Sequence, residues 1–171
     1  MKAEIYPLEK VIVNGITLCL GMTRSEVEAL LGAGQEIGNR CYYFNGEAAI
    51  DYKEGKVEFI EFLGGADGIC KPEIYGVSAF DIHAEELLKI LSAHTNGRFC
   101  DTESGHCFLF PDISIGVYRE AVPKDIEEMI EEAKAFGNPM HADEIEYESK
   151  RADYFATIGV GIAGYYDEKI E

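Results

Sequence analysis

Two segments of the chain share one spacing of apolar residues. Both carry them at positions i, i+3 and i+4, which places them along one side of an α-helix. Segments 23–31 and 83–91 superimpose at an offset of 60 residues. The apolar positions that match are Val27 with Leu87, Leu30 with Ile90, and Leu31 with Leu91. Each segment is therefore predicted to form an amphipathic helix with one stripe to bury.

The first of these helices has clear end signals. Thr23 is followed three residues later by Glu26. This is the spacing of a capping box, in which each side chain satisfies a free backbone N–H at the helix start. Gly32 stands where a left-handed residue commonly ends a helix. The first helix is thus predicted to begin after Thr23 and end at Gly32, while Asp81 or His83 takes the capping position of the second.

Short strand-like runs follow each helix and are separated by turn residues. Asn45-Gly46 lies between two such runs and is a strong hairpin signal, because both turn residues accept positive φ. Each half of the chain up to Arg119 is predicted to form a leading strand, a helix and a three-stranded antiparallel meander. The leading strands are 16–20 and 74–80, the first meander is 40–44, 47–53 and 56–63, and the second is 98–102, 106–110 and 113–118.

The remaining residues, 120–171, have no counterpart in the first half. Pro123 suits the first turn of a helix that Gly137 ends. A more polar helix is predicted over 142–150, and then a strand over 154–162, whose alternate glycines indicate either close backbone approach or a bulge. We therefore predict an α+β protein of two tandem helix-plus-antiparallel-meander units with a helical C-terminal extension and a final strand. The predicted boundaries, within one compact domain overall, are 1–68, 69–119 and 120–171.

The net charge of the chain limits the classes of partner that are expected. The 171 residues include 15 Lys and Arg against 32 Asp and Glu, a formal net charge of −17. Nucleic acids and anionic membranes both require a positive surface, so neither is an expected partner. Residues 1–20 show no targeting segment, and no run approaches the length of a membrane span. Five cysteines at irregular spacing are typical of reduced thiols, so a cytoplasmic protein is expected.

Negative charge is densest beyond Arg119, where residues 120–171 carry a net −9. Four glutamates of the predicted helix form two like-charge i, i+4 pairs, each unfavourable by about 0.2–0.5 kcal/mol. They are Glu127, Glu128, Glu131 and Glu132. One interpretation is a solvated helix face, and the other is a docking surface for a basic protein partner.

Aromatic residues are frequent on the first meander. Alternation along a strand places Tyr42 on one face of the sheet and Tyr43 on the other. One face must pack on the helices, and we predict that the other carries Tyr43, Asp51 and either Glu58 or Glu61. Exposed tyrosine among carboxylates is typical of a recognition surface. A second buried face and a contact between two copies of the chain are the alternatives.

Catalysis has one candidate location. Cys100 and Cys107 flank a predicted hairpin turn, and His106 is adjacent to Cys107. A small metal- or thiol-dependent enzyme would be centred there. Adjacent residues of a strand point to opposite faces, however, so His106 and Cys107 do not converge easily. The chain has no Cys-x-x-Cys pair, no His pair at i, i+4 and no G-x-S-x-G turn, so no cofactor is expected.

The segment Leu20 to Gly32 resembles the LGMT-x-x-EV-x-x-LLG segment of the SmpA/OmlA-like and beta-lactamase-inhibitory-protein-like superfamily. In that superfamily a short helical segment precedes an antiparallel meander, and the inhibitory protein carries two such units in tandem. The resemblance covers residues 16–119. It implies a non-catalytic binder that presents a sheet face to a protein partner. The chain departs from the secreted inhibitors because it lacks their secretion signal and paired cysteines.

These observations favour a non-catalytic cytosolic protein-binding module of an inhibitory or immunity-like kind. It would present an acidic, tyrosine-bearing surface to a protein partner of basic character. The small metal- or thiol-dependent enzyme and a homo-oligomer that pairs its open sheet faces are the competing hypotheses.

Overall fold

The structure is a computed structural model that describes residues 1–167. Within this range the chain forms four α-helices and two mostly antiparallel β-sheets, so the predicted α+β class is confirmed. The helices are α1 (Arg24–Leu31), α2 (Ala84–Ala93), α3 (Pro123–Ala135) and α4 (Ala142–Asp153).

The smaller sheet has five strands in the order β3-β2-β1-β8-β9. The pairing of β1 with β8 is parallel, and the other pairings are antiparallel. Its strands are β1 (Lys2–Tyr6), β2 (Lys10–Val13), β3 (Ile16–Cys19), β8 (Lys71–Ile74) and β9 (Val77–Ser78). This sheet contains β3, which matches the predicted leading strand 16–20, and an N-terminal hairpin that the sequence does not predict.

The larger sheet has eight antiparallel strands in the order β10-β11-β12-β13-β7-β6-β5-β4. The first meander supplies β4 (Gln35–Ile37), β5 (Arg40–Tyr43), β6 (Ala48–Lys53) and β7 (Lys56–Phe62). The rest is β10 (Cys100–Asp101), β11 (Cys107–Phe110), β12 (Ile115–Tyr118) and β13 (Thr157–Gly161). A meander therefore follows α1 and another follows α2, as predicted. The final strand, β13, lies between the two meanders and joins them.

One face of the large sheet packs into the main core together with α1, α2 and the small sheet. Val27 of α1 and Leu87 and Leu91 of α2 are fully buried in it. The sheet contributes a row of large apolar side chains that alternate with residues of the opposite face. The most deeply buried of them are Phe62, Phe110, Ile50, Ile60, Ile115 and Ile158.

The start of α1 is tied to the large sheet. The N–H of Gly21 donates to the Val57 carbonyl at 2.8 Å, and the N–H of Val57 donates to the Met22 carbonyl at 2.8 Å. The predicted capping box is present: the Thr23 N–H donates to Glu26 Oε2 at 2.7 Å, and the Glu26 N–H donates to Thr23 Oγ1 at 3.4 Å. Gly32 ends the helix with φ of 80°.

We expect Thr23→Ala to lower the free energy of unfolding by about 1 kcal/mol, since the alanine leaves a helix N–H without its acceptor. Urea denaturation followed by circular dichroism measures the change. Ser25→Ala is the matched control, because Ser25 is exposed on the same turn, and surface changes of this kind stay within about 0.5 kcal/mol. Equal losses in the two variants would contradict the role of the cap.

One predicted strand differs from the structure, and one observed strand has no predicted counterpart. The run 74–80 is not one strand, because Tyr75 and Gly76 adopt φ of 51° and 82° and form a turn between β8 and β9. Positive φ cannot continue a strand, so the backbone conformation overrides the apolar pattern. The short strand β4 was not predicted, and it pairs with β5 at the edge of the sheet.

Candidate functional site

The large sheet has a second face, which we call the open face. Its side chains alternate with those of the core, and no helix residue belongs to the apolar cluster on it within residues 1–167. The strand register aligns Tyr42, Ala49, Glu61, Gly159, Gly116 and Leu109 in one row across six strands. The open face therefore spans both meanders and β13.

Three glycines of the open face make room for aromatic rings. A Cβ on Gly159 would lie 2.1 Å from the Phe59 ring, and one on Gly116 would lie 2.3 Å from the Tyr166 hydroxyl. Gly161 faces Tyr165 in the same way. The alternate glycines of β13 predicted such close approaches, and this prediction is confirmed.

The rings above these glycines come partly from the chain's own C-terminal turn. Tyr165 stacks on Phe59 with centroids 4.5 Å apart, and Tyr166 meets Phe59 edge-on at 6.1 Å. Burial raises the pKa of Tyr165 to about 12 and raises that of Tyr166 well above its ordinary value. Both phenols therefore stay neutral at physiological pH, so they add aromatic surface and no charge.

A depression of about 320 Å³ lies next to these rings. Leu109, Cys107 and Tyr118 give it apolar and aromatic walls, while Glu61 and Glu103 add carboxylates. Burial raises the pKa of the Cys107 thiol. Because the thiolate is the reactive form, a raised pKa argues against Cys107 as a nucleophile and for packing.

Arg40 holds two predicted site residues together on the open face. Its Nε donates to Asp51 Oδ1 at 2.8 Å, and its Nη2 donates to Glu61 Oε2 at 2.6 Å. All three side chains are less than one-third exposed. One positive charge against two negative charges leaves this cluster with a net −1. The sequence did not single out Arg40, because its partners lie on two other strands.

The prediction that Tyr43 lies on the open face is wrong. Tyr43 is only 6% exposed and packs in the main core, against Gly34. The register pairs Tyr43 with Ala48, so Tyr43 shares a face with Ile50 and not with Asp51. Its hydroxyl is buried and makes no hydrogen bond of ordinary geometry, and burial raises the pKa of its phenol.

Glu58 occupies a β-bulge. Asp51 pairs with Phe59 and Tyr52 pairs with Val57, so Glu58 is the extra residue between them. It lies beside Asp51 in a separate depression lined by Arg24 and Arg40. Of the two predicted alternatives for the open face, Glu61 is in regular register there, and Glu58 lies at its border.

The four glutamates of α3 are exposed, as either interpretation of them requires. They are Glu127, Glu128, Glu131 and Glu132. Among residues 1–167 only Glu128 of these four has an ion-pair partner, Lys124 at 3.4 Å. None of the four glutamates lines the depression on the open face.

The residues proposed for metal or thiol chemistry do not form a cluster around a free histidine. His106 Nε2 lies 3.0 Å from Asp125 Oδ2, and its Nδ1 lies 2.9 Å from the Glu103 carbonyl. Cys100 pairs with Leu109 across the strands, and Cys107 pairs with Tyr118. In the described part of the chain, no three His, Cys, Asp or Glu residues form a group that could hold a metal ion.

The contacts of Asp125 predict a pH dependence. The Val122 N–H, at 2.9 Å, and His106 hold the pKa of the Asp125 carboxyl below its ordinary value. A depressed pKa contributes stability above about pH 4, and this stability is lost as the pH falls through the folded-state value. We therefore expect Asp125→Asn to lose less stability than the parent on acidification, as measured by Tm against pH.

His106→Gln is the control for Asp125, because it leaves the Val122 contact in place. It is expected to give an intermediate pH profile, since the backbone contact has the larger effect on the carboxyl pKa. Identical acid profiles for the parent and Asp125→Asn would show that this contact does not operate in solution.

No protein-family model, curated protein or solved structure matches the chain. None of the helices in residues 1–167 has the length and apolar character needed to cross a membrane.

Proposed function

We propose that the protein is a non-catalytic protein-binding module whose contact surface is the open face. The observation that supports this most is a sheet face whose apolar cluster contains no helix residue of the described range 1–167 and is built from side chains of the strands and of the turn that carries Tyr165 and Tyr166. Aromatic rings, a half-buried depression and carboxylates held by Arg40 occur together there. Surfaces of this composition, with an apolar centre and a polar border, are typical of protein interfaces.

We propose that the partner is a basic protein of the cytoplasm. The whole chain carries a net charge of −17, and opposite charge accelerates and orients association. An inhibitory or immunity-like role agrees with the resemblance of Leu20 to Gly32 to the inhibitory-protein superfamily. The tandem arrangement of α1 and α2, each with its meander, also supports this role.

A photo-crosslinking amino acid at position 118 tests the proposal. Tyr118 lies on the open face and is 36% exposed; Tyr6, on the small sheet and 40% exposed, gives a matched control position. We expect a discrete protein adduct from position 118 alone, weakened at about 0.5 M salt because screening shortens the range of charge attraction.

Three outcomes would count against this function. Equal adducts from positions 118 and 6 would remove the role of the open face, and an adduct of the chain with itself would favour the homo-oligomer. A stoichiometric transition metal in the purified protein would instead favour the enzyme centred on Cys100, His106 and Cys107.

A further inference from the structure

A second surface lies on the helical hairpin of α3 and α4. The apolar residues that the pair buries form a small cluster of their own, Ala121, Ile126 and Ala152, with Ile130 packed against it. Ile126 is the only buried residue of α3, and Ala152 is the only one of α4, in the described chain. The helices therefore retain apolar side chains that the fold itself does not cover.

These side chains form a groove, which we call the hairpin groove, of about 440 Å³. Its lining includes Met129 and Ala133 of α3, Tyr147 of α4 and Met140 of the connection between the helices. Met129 is 40% exposed and Tyr147 is 59% exposed. Phe136, three residues beyond Ala133 on the same stripe, is 87% exposed. Contiguous exposed apolar groups of this kind mark interaction sites.

Carboxylates border the groove on both helices. Asp143, Glu144 and Glu148 belong to its lining on α4. On α3, Glu132 stands three residues after Met129 and four before Phe136, so it lies beside both. Glu132, Asp143 and Glu144 have no ion-pair partner among residues 1–167, while Glu148 is paired with Arg151 at 2.7 Å. The apolar floor is thus bordered by unneutralised negative charge.

We infer that the hairpin groove binds a basic amphipathic helix of a partner protein. An apolar groove between two helices accepts the i, i+3, i+4 and i+7 side chains of a third helix. Methionine adapts its shape to such side chains, because its unbranched thioether is flexible. The surrounding carboxylates select a helix whose polar face carries Lys and Arg.

The negative charge of the helical hairpin disfavours two other occupants of the hairpin groove. Residues 120–153 hold eleven acidic and four basic side chains, a net −7. A second copy of the hairpin would bring the same charge to the contact, and like charges repel. An anionic membrane is disfavoured for the same reason. A basic helix alone satisfies both the apolar floor and the acidic border. The inference does not depend on the function proposed for the open face, which shares no lining residue with the groove.

The test uses a synthetic Leu/Lys peptide of about 18 residues, five helical turns, with its leucines on one side. A scrambled peptide of identical composition has no apolar side. Fluorescence anisotropy is expected to give at least about tenfold tighter binding for the amphipathic peptide at about 0.15 M salt. Because both peptides carry the same charge, this difference reports the groove rather than the acidity of the chain.

Two variants locate the binding. Tyr147→Ser is expected to weaken binding of the amphipathic peptide about tenfold, since aromatic residues at the centre of an interface contribute most to affinity. Tyr6→Ser, on the small sheet, where Tyr6 is 40% exposed, is the matched control and should leave binding unchanged. Circular dichroism checks that both variants remain folded. Equal binding of the two peptides, an equal loss of binding in Tyr6→Ser, or self-association that Tyr147→Ser abolishes would each overturn the inference.

Discussion

Replacing Arg119 with methionine is expected to lower the free energy of unfolding by about 3 kcal/mol. Arg119 is 5% exposed. Its Nε donates to the Gly105 carbonyl at 2.8 Å, and its Nη1 donates to the Ala152 carbonyl at 3.0 Å. Hydrogen bonds to a charged group contribute about 1.5–3 kcal/mol each to stability. A buried carbonyl that is left without its donor adds an unfavourable desolvation cost. Methionine keeps the aliphatic stem, so the variant isolates the guanidinium.

The position of Arg119 explains why one side chain has this effect. It follows β12 and reaches the turn before β11 through Gly105 and the end of α4 through Ala152. Its guanidinium also lies 5.9 Å from the centre of the Phe155 ring. The α3–α4 hairpin is therefore held to the large sheet at its C-terminal end. Hydrogen exchange of the α4 amides should accelerate in Arg119→Met more than exchange in α1.

Glu85→Gln is the control for this prediction. Arg119 Nη2 also pairs with Glu85 Oε1 at 3.2 Å, but the Glu85 side chain is 68% exposed. Exposed ion pairs contribute at most about 1 kcal/mol, so Glu85→Gln should change the urea midpoint only slightly. A loss in Glu85→Gln as large as that in Arg119→Met would show that the ion pair, and not the two carbonyls, holds the hairpin.

Features set by local interactions were predictable from the sequence. The capping box joins Thr23 and Glu26, three residues apart, and the spacing within single turns indicated both helices, although Leu30 of the stripe predicted to be buried in α1 is 46% exposed. Asn45-Gly46 also indicated its hairpin, although the observed turn includes Phe44, with φ of 53°. For such elements the residues that decide the structure are neighbours in the chain, so a single sequence contains the information.

The face on which Tyr43 lies shows how register errors arise. Successive side chains of a strand point to opposite faces, so an error of one residue reverses every assignment. A hairpin centred on Asn45-Gly46 pairs Tyr43 with Ala48, which places Asp51 on the face of Tyr42. The prediction grouped Tyr43 with Asp51 by composition and did not follow the register through the turn.

Long-range pairings were not predictable in the same way. Arg40 meets Asp51 and Glu61 because three strands lie side by side, and the periodicity of each strand says nothing about its neighbours. The parallel pairing of β1 with β8 brings together residues almost 70 positions apart. The strand over 154–162 was predicted as an element, but its place between β7 and β12 depends on both meanders.

This placement of β13 leads to the largest effect that we expect, in Val160→Asp. Val160 is fully buried and pairs with Ile115 on one side and Ile60 on the other. An unpaired carboxylate there costs several kcal/mol in desolvation, which is comparable to the about 5–15 kcal/mol that stabilises a typical protein. We expect loss of cooperative urea unfolding. Val160→Ala, which leaves a small cavity, should lower the free energy of unfolding by about 2 kcal/mol.

Thr157→Asp is the control for Val160→Asp, because it places a carboxylate on the same strand at a position that is less deeply buried. Thr157 lies on the same strand but on the open face, where it is only half-buried. A carboxylate there remains in contact with water, so its effect should stay below about 1 kcal/mol. Equal effects at 157 and 160 would mean that β13 is not inserted with this register. If Val160→Asp still folded and unfolded cooperatively, the insertion of β13 between β7 and β12 would not be needed to hold the two meanders together.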